Sequence, residues 1–138
     1  MSLGEIRDVV TKAMQETRAN YHVTLGEMID KLEGLPQDAP ITFDFNSEYV
    51  GHGYSYRGYY EDFALDSKEE PRSVGHLLSV CKGAVGRKYQ GWKGGYYRMH
   101  RNTPLWAAEQ GQTGRAIMGL GVSRGGTTWQ LVTKEIPE

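Results

Sequence analysis

Residues 95–132, GYYRMHRNTPLWAAEQGQTGRAIMGLGVSRGGTTWQLV, decide the fold because β-prone runs alternate there with turn compositions. The runs are GYYRM (95–99), PLWAA (104–108), RAIMGLGV (115–122) and TTWQLV (127–132), separated by HRNT, EQGQTG and SRGG. Aromatic and β-branched residues favour strands, whereas Gly, Asn and Ser favour turns. We therefore predict a run of short strands that form a mainly antiparallel sheet.

Helical patterns dominate the chain before these strands. Residues 4–20 carry a narrow apolar stripe at helical spacing, which predicts an amphipathic helix that packs on the domain or on a partner subunit. The stripe consists of Ile6, Val9, Val10, Ala13 and Met14. Thr24 and Glu27 have the spacing of a capping box and predict the start of a second helix, for which Gly34 suits the C′ position.

Two strands and a third helix are predicted in the middle of the chain. Residues 41–45 alternate as a strand, a loop follows at 46–53, and a second strand covers 54–65 with an interruption at Gly58. Ser73 predicts the cap of a helix that runs to about Val85 and ends at Gly86. The fold class is therefore α+β, with an N-terminal amphipathic helix (1–23) and a single ligand-binding domain (24–138).

The composition predicts a globular intracellular protein. No apolar run approaches the roughly 18 residues that a membrane span needs, and the N-terminus lacks the apolar core of a signal peptide. Cys81 is the only cysteine of the 138 residues, so no internal disulfide forms, and its apolar helical setting predicts an inert core thiol.

The net charge of −1 conceals an uneven distribution along the chain. Residues 1–81 contain 7 Lys or Arg and 14 Asp or Glu, whereas residues 82–126 contain 8 Lys or Arg and one acid, Glu109. This asymmetry predicts an anion-facing surface in the second half. The alternative is that the two halves pair their charges across the fold.

No pattern of catalytic residues stands out. The histidines show no HExxH motif and no zinc spacing with the cysteine, and no GxSxG motif is present. Glu61 and Asp62 are adjacent, so on a strand their side chains point to opposite faces. We therefore expect a protein that is not an enzyme and has neither a cofactor nor a metal. A small nucleotide-processing enzyme remains an alternative.

Aromatic and basic residues are interleaved in two stretches. Tyrosines flank Arg57 at 54–60, and a second set of rings at 89–106 alternates with Lys93, Arg98 and Arg101. Rings stack on nucleotide bases and arginines clamp phosphates. The glycine-rich segments 91–95 and 119–126 are either tight turns between strands or places where backbone amides approach an anion. Ordinary cross-strand packing is the alternative explanation for the rings.

Three sequence blocks resemble a known family. They are PITFDF…SYRGYYEDFAL (40–65), YQGWKGGYYRMHRNTPLWAAEQG (89–111) and RAIMGLGV (115–122). Together they resemble the SYRG, KGG and TP-[LV]-W segments of the first Thoeris anti-defence family, which is carried by phages. The resemblance covers about residues 25–122. Glu109 departs from the neutral polar residue expected there, and the helix at 4–20 looks like an addition.

The resemblance implies a molecular sponge. Members of that family bind glycocyclic ADP-ribose, made by a host TIR-domain enzyme in the bacterial cytoplasm, and sequester it without cleaving it. Some form hexamers from dimers and also bind cyclic oligonucleotides. A homo-oligomer, either a dimer or a hexamer, and a small nucleotide signal are the partners implied, without a membrane.

The pattern and the resemblance together give a set of ligand-binding candidates. We expect arginines to pair with phosphates, Trp92 and Tyr97 to stack on adenine, and amides near Gly94 and Gly95 to assist. The full set is Tyr54, Arg57, Trp92, Lys93, Gly94, Gly95, Tyr97, Met99, Trp106, Arg115 and Arg124. A nucleic-acid-binding module that uses the same basic and aromatic strands is the second hypothesis, and it is not favoured.

Overall fold

The structure is a computed structural model that describes residues 22–56, 60–91, 94–108, 115–122 and 128–135. The helices are α1 (Leu25–Glu33) and α2 (Val74–Ala84). The strands are β1 (Ile41–Phe43), β2 (Tyr49–Ser55), β3 (Phe63–Lys68), β4 (Lys88–Gln90), β5 (Tyr96–Arg98), β6 (Leu105–Ala107), β7 (Arg115–Val122) and β8 (Trp129–Glu135). The α+β class is confirmed. The helix predicted at 4–20 lies outside the described residues.

Six strands close into a barrel in the order β1-β2-β3-β6-β7-β8. Four of the six neighbouring pairs are antiparallel, whereas β1 with β8 and β3 with β6 are parallel. Strands β4 and β5 form a separate antiparallel pair. The sheet is therefore mainly antiparallel, as predicted, and its closure leaves the barrel without an unpaired edge strand.

Both described helices begin at a residue whose side chain caps the first turn. The Thr24 hydroxyl accepts a hydrogen bond from the Glu27 backbone N–H at 3.2 Å, and the Ser73 hydroxyl accepts one from the His76 N–H at 3.2 Å. Each contact satisfies a backbone donor that the first turn leaves without a partner in the helix. Gly34 has φ −87°, so it does not adopt the left-handed C′ conformation that its position suggested.

The core lies inside the barrel and under the two helices. Phe43 and Phe63 from the strands are fully buried, as are Leu32 of α1 and Leu77 of α2. Val23 is 4% exposed and belongs to the same core. None of the helices in the described part of the chain is both long and apolar enough to cross a membrane.

The prediction for residues 46–65 was wrong. The expected loop at 46–53 contains most of β2, and the expected single strand at 54–65 is the end of β2 followed by β3, with Tyr54 opposite Ala64. The two glycines of this segment lie within β2, where a Cβ at Gly53 would overlap the Phe63 ring and one at Gly51 would overlap the Asp66 carboxylate. Close packing, not turn geometry, accounts for both glycines.

Candidate ligand-binding site

Strands β4 and β5 form a ribbon, defined here as Lys88–Gln90 with Tyr96–Arg98, whose inner face rests on the barrel. Tyr89 and Tyr97 lie opposite each other on that face. The Tyr89 ring meets Phe63 edge-on at 5.2 Å, and the Tyr97 ring stacks on Tyr60 at 5.2 Å with a 30° interplanar angle. These contacts hold the ribbon against the start of β3.

A glycine-rich turn joins the two strands of the ribbon. Gly94 and Gly95 have φ +97° and +79°, which residues with a side chain rarely adopt. The Gly91 N–H donates to the Gly95 carbonyl at 2.9 Å, and the Gly94 N–H donates to the Gly91 carbonyl at 3.0 Å. The Gly94 amide therefore has a hydrogen-bond partner within the turn.

The outer face of the ribbon carries two cations, one amide and one open ring. Lys88 pairs with Arg98, and Gln90 pairs with Tyr96. All four side chains are exposed, and Tyr96 is 71% exposed. Two like charges directly opposite each other on antiparallel strands are unfavourable.

No acidic side chain offsets this repulsion within the part of the chain that the structure describes. The salt bridges there join Lys68 to Asp66, Arg72 to Glu70, Lys82 to Glu33 and Arg101 to Asp30. The Arg98 Nη1 atom donates instead to the Gly86 carbonyl oxygen at 2.6 Å, which orients the guanidinium but does not neutralise it. Among the described residues, the outer face therefore has a positive charge without an acidic partner, beside an exposed ring.

Arg87 adds a third cation at the base of the ribbon. Its guanidinium lies 5.2 Å from the centre of the Tyr89 ring, within the range of a cation–π contact. Burial raises the pKa of Tyr89, and the neighbouring Arg87 partly opposes that rise. The Tyr89 phenol therefore remains protonated at neutral pH.

Trp106, a predicted ligand-binding residue, is covered by two neighbouring rings. Tyr56 stacks on it at 4.4 Å with an interplanar angle of 3°, and His22 packs against it at 4.4 Å with an angle of 56°. The indole Nε1 donates to the Asp62 carboxylate at 2.9 Å, and Asp62 is 1% exposed. Trp106 is only 4% exposed, so this conformation leaves no ring face open to a base.

Met99 and Tyr54 also lie in surroundings that were not anticipated. Met99 is fully buried in the main core, where a surface-bound ligand does not reach it. Tyr54 is 42% exposed on β2, and burial first and the Asp66 carboxylate second raise its pKa. That neighbouring carboxylate disfavours a phosphate at Tyr54.

Arg115 makes contacts at the inner side of β7. Its Nε donates to the Thr133 hydroxyl at 2.9 Å, and its guanidinium lies 5.1 Å from the centre of the Phe45 ring. The same Thr133 hydroxyl donates to Asp44 at 2.6 Å. Arg115 is thus part of a network that ties β7, β8 and the end of β1 together.

The described candidates therefore do not converge on one spot. Gly94, Gly95 and Tyr97 lie together at the ribbon. Tyr54 and Trp106 lie in one row across β2, β3 and β6, with Ala64 between them. Met99 and Arg115 occupy two further places. The remaining candidates lie outside the described residues: Arg57, Trp92, Lys93 and Arg124.

The outer ribbon residues were missed because β4 was not predicted. KYQ and YYR flank the glycine-rich segment GWKGG, and two β-prone runs around a short turn are typical of a hairpin. That pattern would have paired Lys88 with Arg98 and Gln90 with Tyr96.

The described His, Cys, Asp and Glu side chains do not gather into a second candidate site. No group of three or more His, Cys, Asp or Glu in those ranges is placed to hold a metal ion. Burial raises the pKa of the Cys81 thiol to about 12, and the side chain is 0% exposed. Glu61 is exposed whereas Asp62 is buried, so the two adjacent carboxylates do not share a site.

No protein-family model matches the sequence, and neither the curated proteins nor the solved structures contain a significant match to it. The resemblance to the Thoeris anti-defence family therefore stays a prediction based on the three sequence blocks.

Proposed function

We propose that this chain is a binding protein that captures a small anionic nucleotide on the outer face of the ribbon and releases it unchanged. The observation that carries the proposal is the facing pair Lys88 and Arg98, without an acidic partner among the described residues, beside the 71% exposed ring of Tyr96. A base that stacks on the ring and phosphates that approach the cations would satisfy both features.

The spacing of these groups suits such a ligand. Tyr96 and Arg98 are two positions apart on β5, so they point to the same side at a separation of about 7 Å along the strand. Gln90 faces Tyr96 and offers an amide donor and acceptor to the edge of a base. The phosphates of a stacked nucleotide would then lie towards Lys88 and Arg98, where they would relieve the repulsion between the two cations.

The proposed role is storage without turnover. Capture requires only affinity for the ground state and slow release, so it needs no activated nucleophile or general base. The single thiol, Cys81, is buried at the barrel side of α2 and has a raised pKa, which makes it a poor nucleophile.

The ligand to test first follows from the sequence resemblance. A sponge of the phage anti-defence type would bind glycocyclic ADP-ribose in the host bacterial cytoplasm, with cyclic oligonucleotides as further ligands. The side chains of the ribbon's outer face are exposed in one chain, so a neighbouring copy in a dimer or hexamer would enclose the ligand. The sequence prediction adds Arg57, Trp92, Lys93 and Arg124 as candidate ligand contacts.

The direct test is capture followed by release. The purified chain is incubated with glycocyclic ADP-ribose, freed of unbound ligand by gel filtration and heated, and the released compound is identified by mass spectrometry. We expect the ligand to be recovered intact. Recovery of a hydrolysed product would instead indicate an enzyme, and no recovery of this compound or of cyclic oligonucleotides would overturn the proposal.

Matched variants locate the site. Tyr96→Ala should weaken binding about 10- to 100-fold, the value of a lost base stack, whereas Tyr96→Phe should retain most of the affinity. Lys88→Gln should weaken binding, but Lys82→Gln, which removes the same charge from the Glu33 ion pair, should not. Arg57→Ala should strongly reduce ligand capture but leave the melting temperature almost unchanged. Equal affinities in all variants, measured by calorimetry, would contradict this location.

A nucleic-acid-binding function is the second candidate, because an exposed ring between cations also suits single-stranded RNA or DNA. Salt dependence separates the two functions. Binding of a single strand should weaken with a logarithmic slope of about −0.7 per neutralised phosphate. A small ligand with few charges should show a shallower slope than an oligonucleotide that covers the whole ribbon.

A further inference from the structure

Strand β5 of the ribbon has one edge with which no described strand pairs. The bonds inside the ribbon determine which backbone groups face that edge. At the turn, the Gly91 N–H donates to the Gly95 carbonyl at 2.9 Å. At the other end of the ribbon, the Met99 N–H donates to the Arg87 carbonyl at 3.0 Å. Hydrogen-bonded and non-hydrogen-bonded pairs alternate along an antiparallel ladder, so these two bonds fix the alternation between them.

The backbone groups of Tyr96 and Arg98 point away from β4. The alternation makes Tyr89 with Tyr97 the hydrogen-bonded pair of the ribbon, so the N–H and carbonyl groups of the residues on either side of Tyr97 face the free edge. No described residue forms a backbone hydrogen bond with these groups, and both side chains are exposed. Unpaired backbone groups along an edge are a template for another strand.

A second copy of β5 fits this edge in an antiparallel register. When a two-fold axis passes through Tyr97, the midpoint of the strand, Tyr96 of each copy lies opposite Arg98 of the other. Both pairs then consist of residues whose backbone groups face outward, so each pair exchanges its N–H and carbonyl bonds. A register centred on Arg98 would instead place two guanidinium groups opposite each other, where like charges repel.

The side chains are complementary in the register centred on Tyr97. Opposite Cα atoms are about 5.5 Å apart in such pairs, so the Tyr96 ring is within reach of a cation–π contact with Arg98 of the second copy. The Gly86 carbonyl oxygen orients that guanidinium. The same symmetry applied to β4 would place Lys88 opposite Gln90 without a ring, and strand β2 of the barrel lies close to β4. The observations therefore favour β5.

We propose that β5 pairs antiparallel with β5 of a second copy of this chain, and that the two copies share each ligand site. The outer faces of the two ribbons then form one surface, in which Lys88 and Arg98 of one copy lie in a row with Tyr96 and Gln90 of the other. A base stacks on the ring from one copy while its phosphates approach the cations from the other. The shared site rests on the proposed function, whereas the strand pairing does not.

The ligand and the second copy should strengthen each other's binding. The three residues of β5 provide few contacts, and the pairing brings the cations of both ribbons onto one surface. Phosphates offset that charge only where the two copies meet. A ligand that binds the pair better than the single chain stabilises the pair by mass action.

Disulfide formation between two single variants tests the register. Opposite Cα atoms at about 5.5 Å are within the range of a disulfide, whereas the two copies of Tyr96 lie diagonally, about 7–8 Å apart. A mixture of Tyr96→Cys and Arg98→Cys chains should therefore form a cross-linked heterodimer under mild oxidation, and neither variant should cross-link alone. Cys81 is 0% exposed and does not compete. No cross-link in the mixture, or equal cross-linking in a single variant, would overturn the strand pairing.

The cross-linked heterodimer also tests the shared site. It retains one unaltered pair, because Arg98 of the Tyr96→Cys chain lies opposite Tyr96 of the Arg98→Cys chain. Calorimetry should show that glycocyclic ADP-ribose binds it at least about fivefold more tightly than it binds the reduced mixture, the lower end of typical coupling between sites. Cross-linking with unchanged affinity would overturn the shared site alone. Failure of the unaltered chain to capture any nucleotide would overturn the proposed function but not the strand pairing.

Sedimentation provides a measurement without added cysteines. The unaltered chain should associate reversibly, and glycocyclic ADP-ribose should lower the dissociation constant of the pair. Without ligand, Tyr96→Lys should weaken association about tenfold, because it places a like charge opposite Arg98 twice in each pair. Val122→Lys adds the same charge at a position on β7 that is 49% exposed and should have no effect. A chain that remains monomeric at every concentration, or equal weakening by both variants, would overturn the strand pairing.

Discussion

The Trp106 cluster and the outer face of the ribbon both contain aromatic side chains but differ in what covers them. At Trp106, the small residues Ala64 and Ala116 flank the indole on the neighbouring strands, and Tyr56 and His22 close over it. At the ribbon, the ring of Tyr96 has solvent around it and remains 71% exposed.

The difference shows that residue type alone does not distinguish a buried aromatic side chain from an exposed one. Trp106 donates its N–H to the buried Asp62 carboxylate and packs against two rings, so its contribution is to stability. The ribbon has an open ring and two facing cations that have no acidic partner among the described residues. Substitutions in the two regions test this division between a buried and an exposed aromatic side chain.

The largest effect should come from Trp106→Ala. Removal of a buried aromatic side chain typically lowers the free energy of unfolding by about 3–5 kcal/mol, because the transfer energy is lost and a cavity remains. Urea denaturation measures this difference. Tyr96→Ala is the matched control, and its exposed ring should change stability by less than about 0.5 kcal/mol. Similar losses in both variants would contradict the division.

A smaller effect should follow from Asp62→Ala, which removes the acceptor of the Trp106 N–H. A buried donor deprived of its acceptor costs about 1–3 kcal/mol. Asp62→Asn retains a side-chain oxygen and should recover part of that loss, whereas Asp38→Ala, at an exposed carboxylate, should be neutral. Thermal unfolding followed by circular dichroism measures the series. Equal melting temperatures for Asp62→Ala and Asp38→Ala would show that the hydrogen bond is not important for stability.

The elements with a strong local signal could be predicted from the sequence. Thr24 and Ser73 marked the starts of both described helices, and the pattern of residues 115–122 gave the bounds of β7. These features depend on neighbours in sequence, namely on caps and on periodic burial. The α+β class followed from their order along the chain.

What the sequence could not give depends on contacts between distant residues. The parallel pairing of β1 with β8 closes the barrel but joins residues almost ninety positions apart, and no local pattern encodes it. Gly53 fell within a predicted loop because its role, to make room for Phe63, depends on another strand. For the same reason, the burial of Trp106 by His22 and Tyr56 had no signal in the local sequence.

The smallest effect, and the one most specific to the ribbon, should come from Lys88→Gln. The change removes the repulsion between Lys88 and Arg98, so it should raise the free energy of unfolding by a few tenths of a kcal/mol, about the size of other cross-strand charge effects. Salt screens exposed charges, so the gain should be larger at low than at high ionic strength.

Lys82→Gln is the control and should lower the free energy of unfolding, because it breaks the exposed ion pair with Glu33 at 3.3 Å. Melting temperatures of both variants at two salt concentrations provide the measurement, and a loss of stability in Lys88→Gln at low salt would mean that an acidic group does compensate the ribbon.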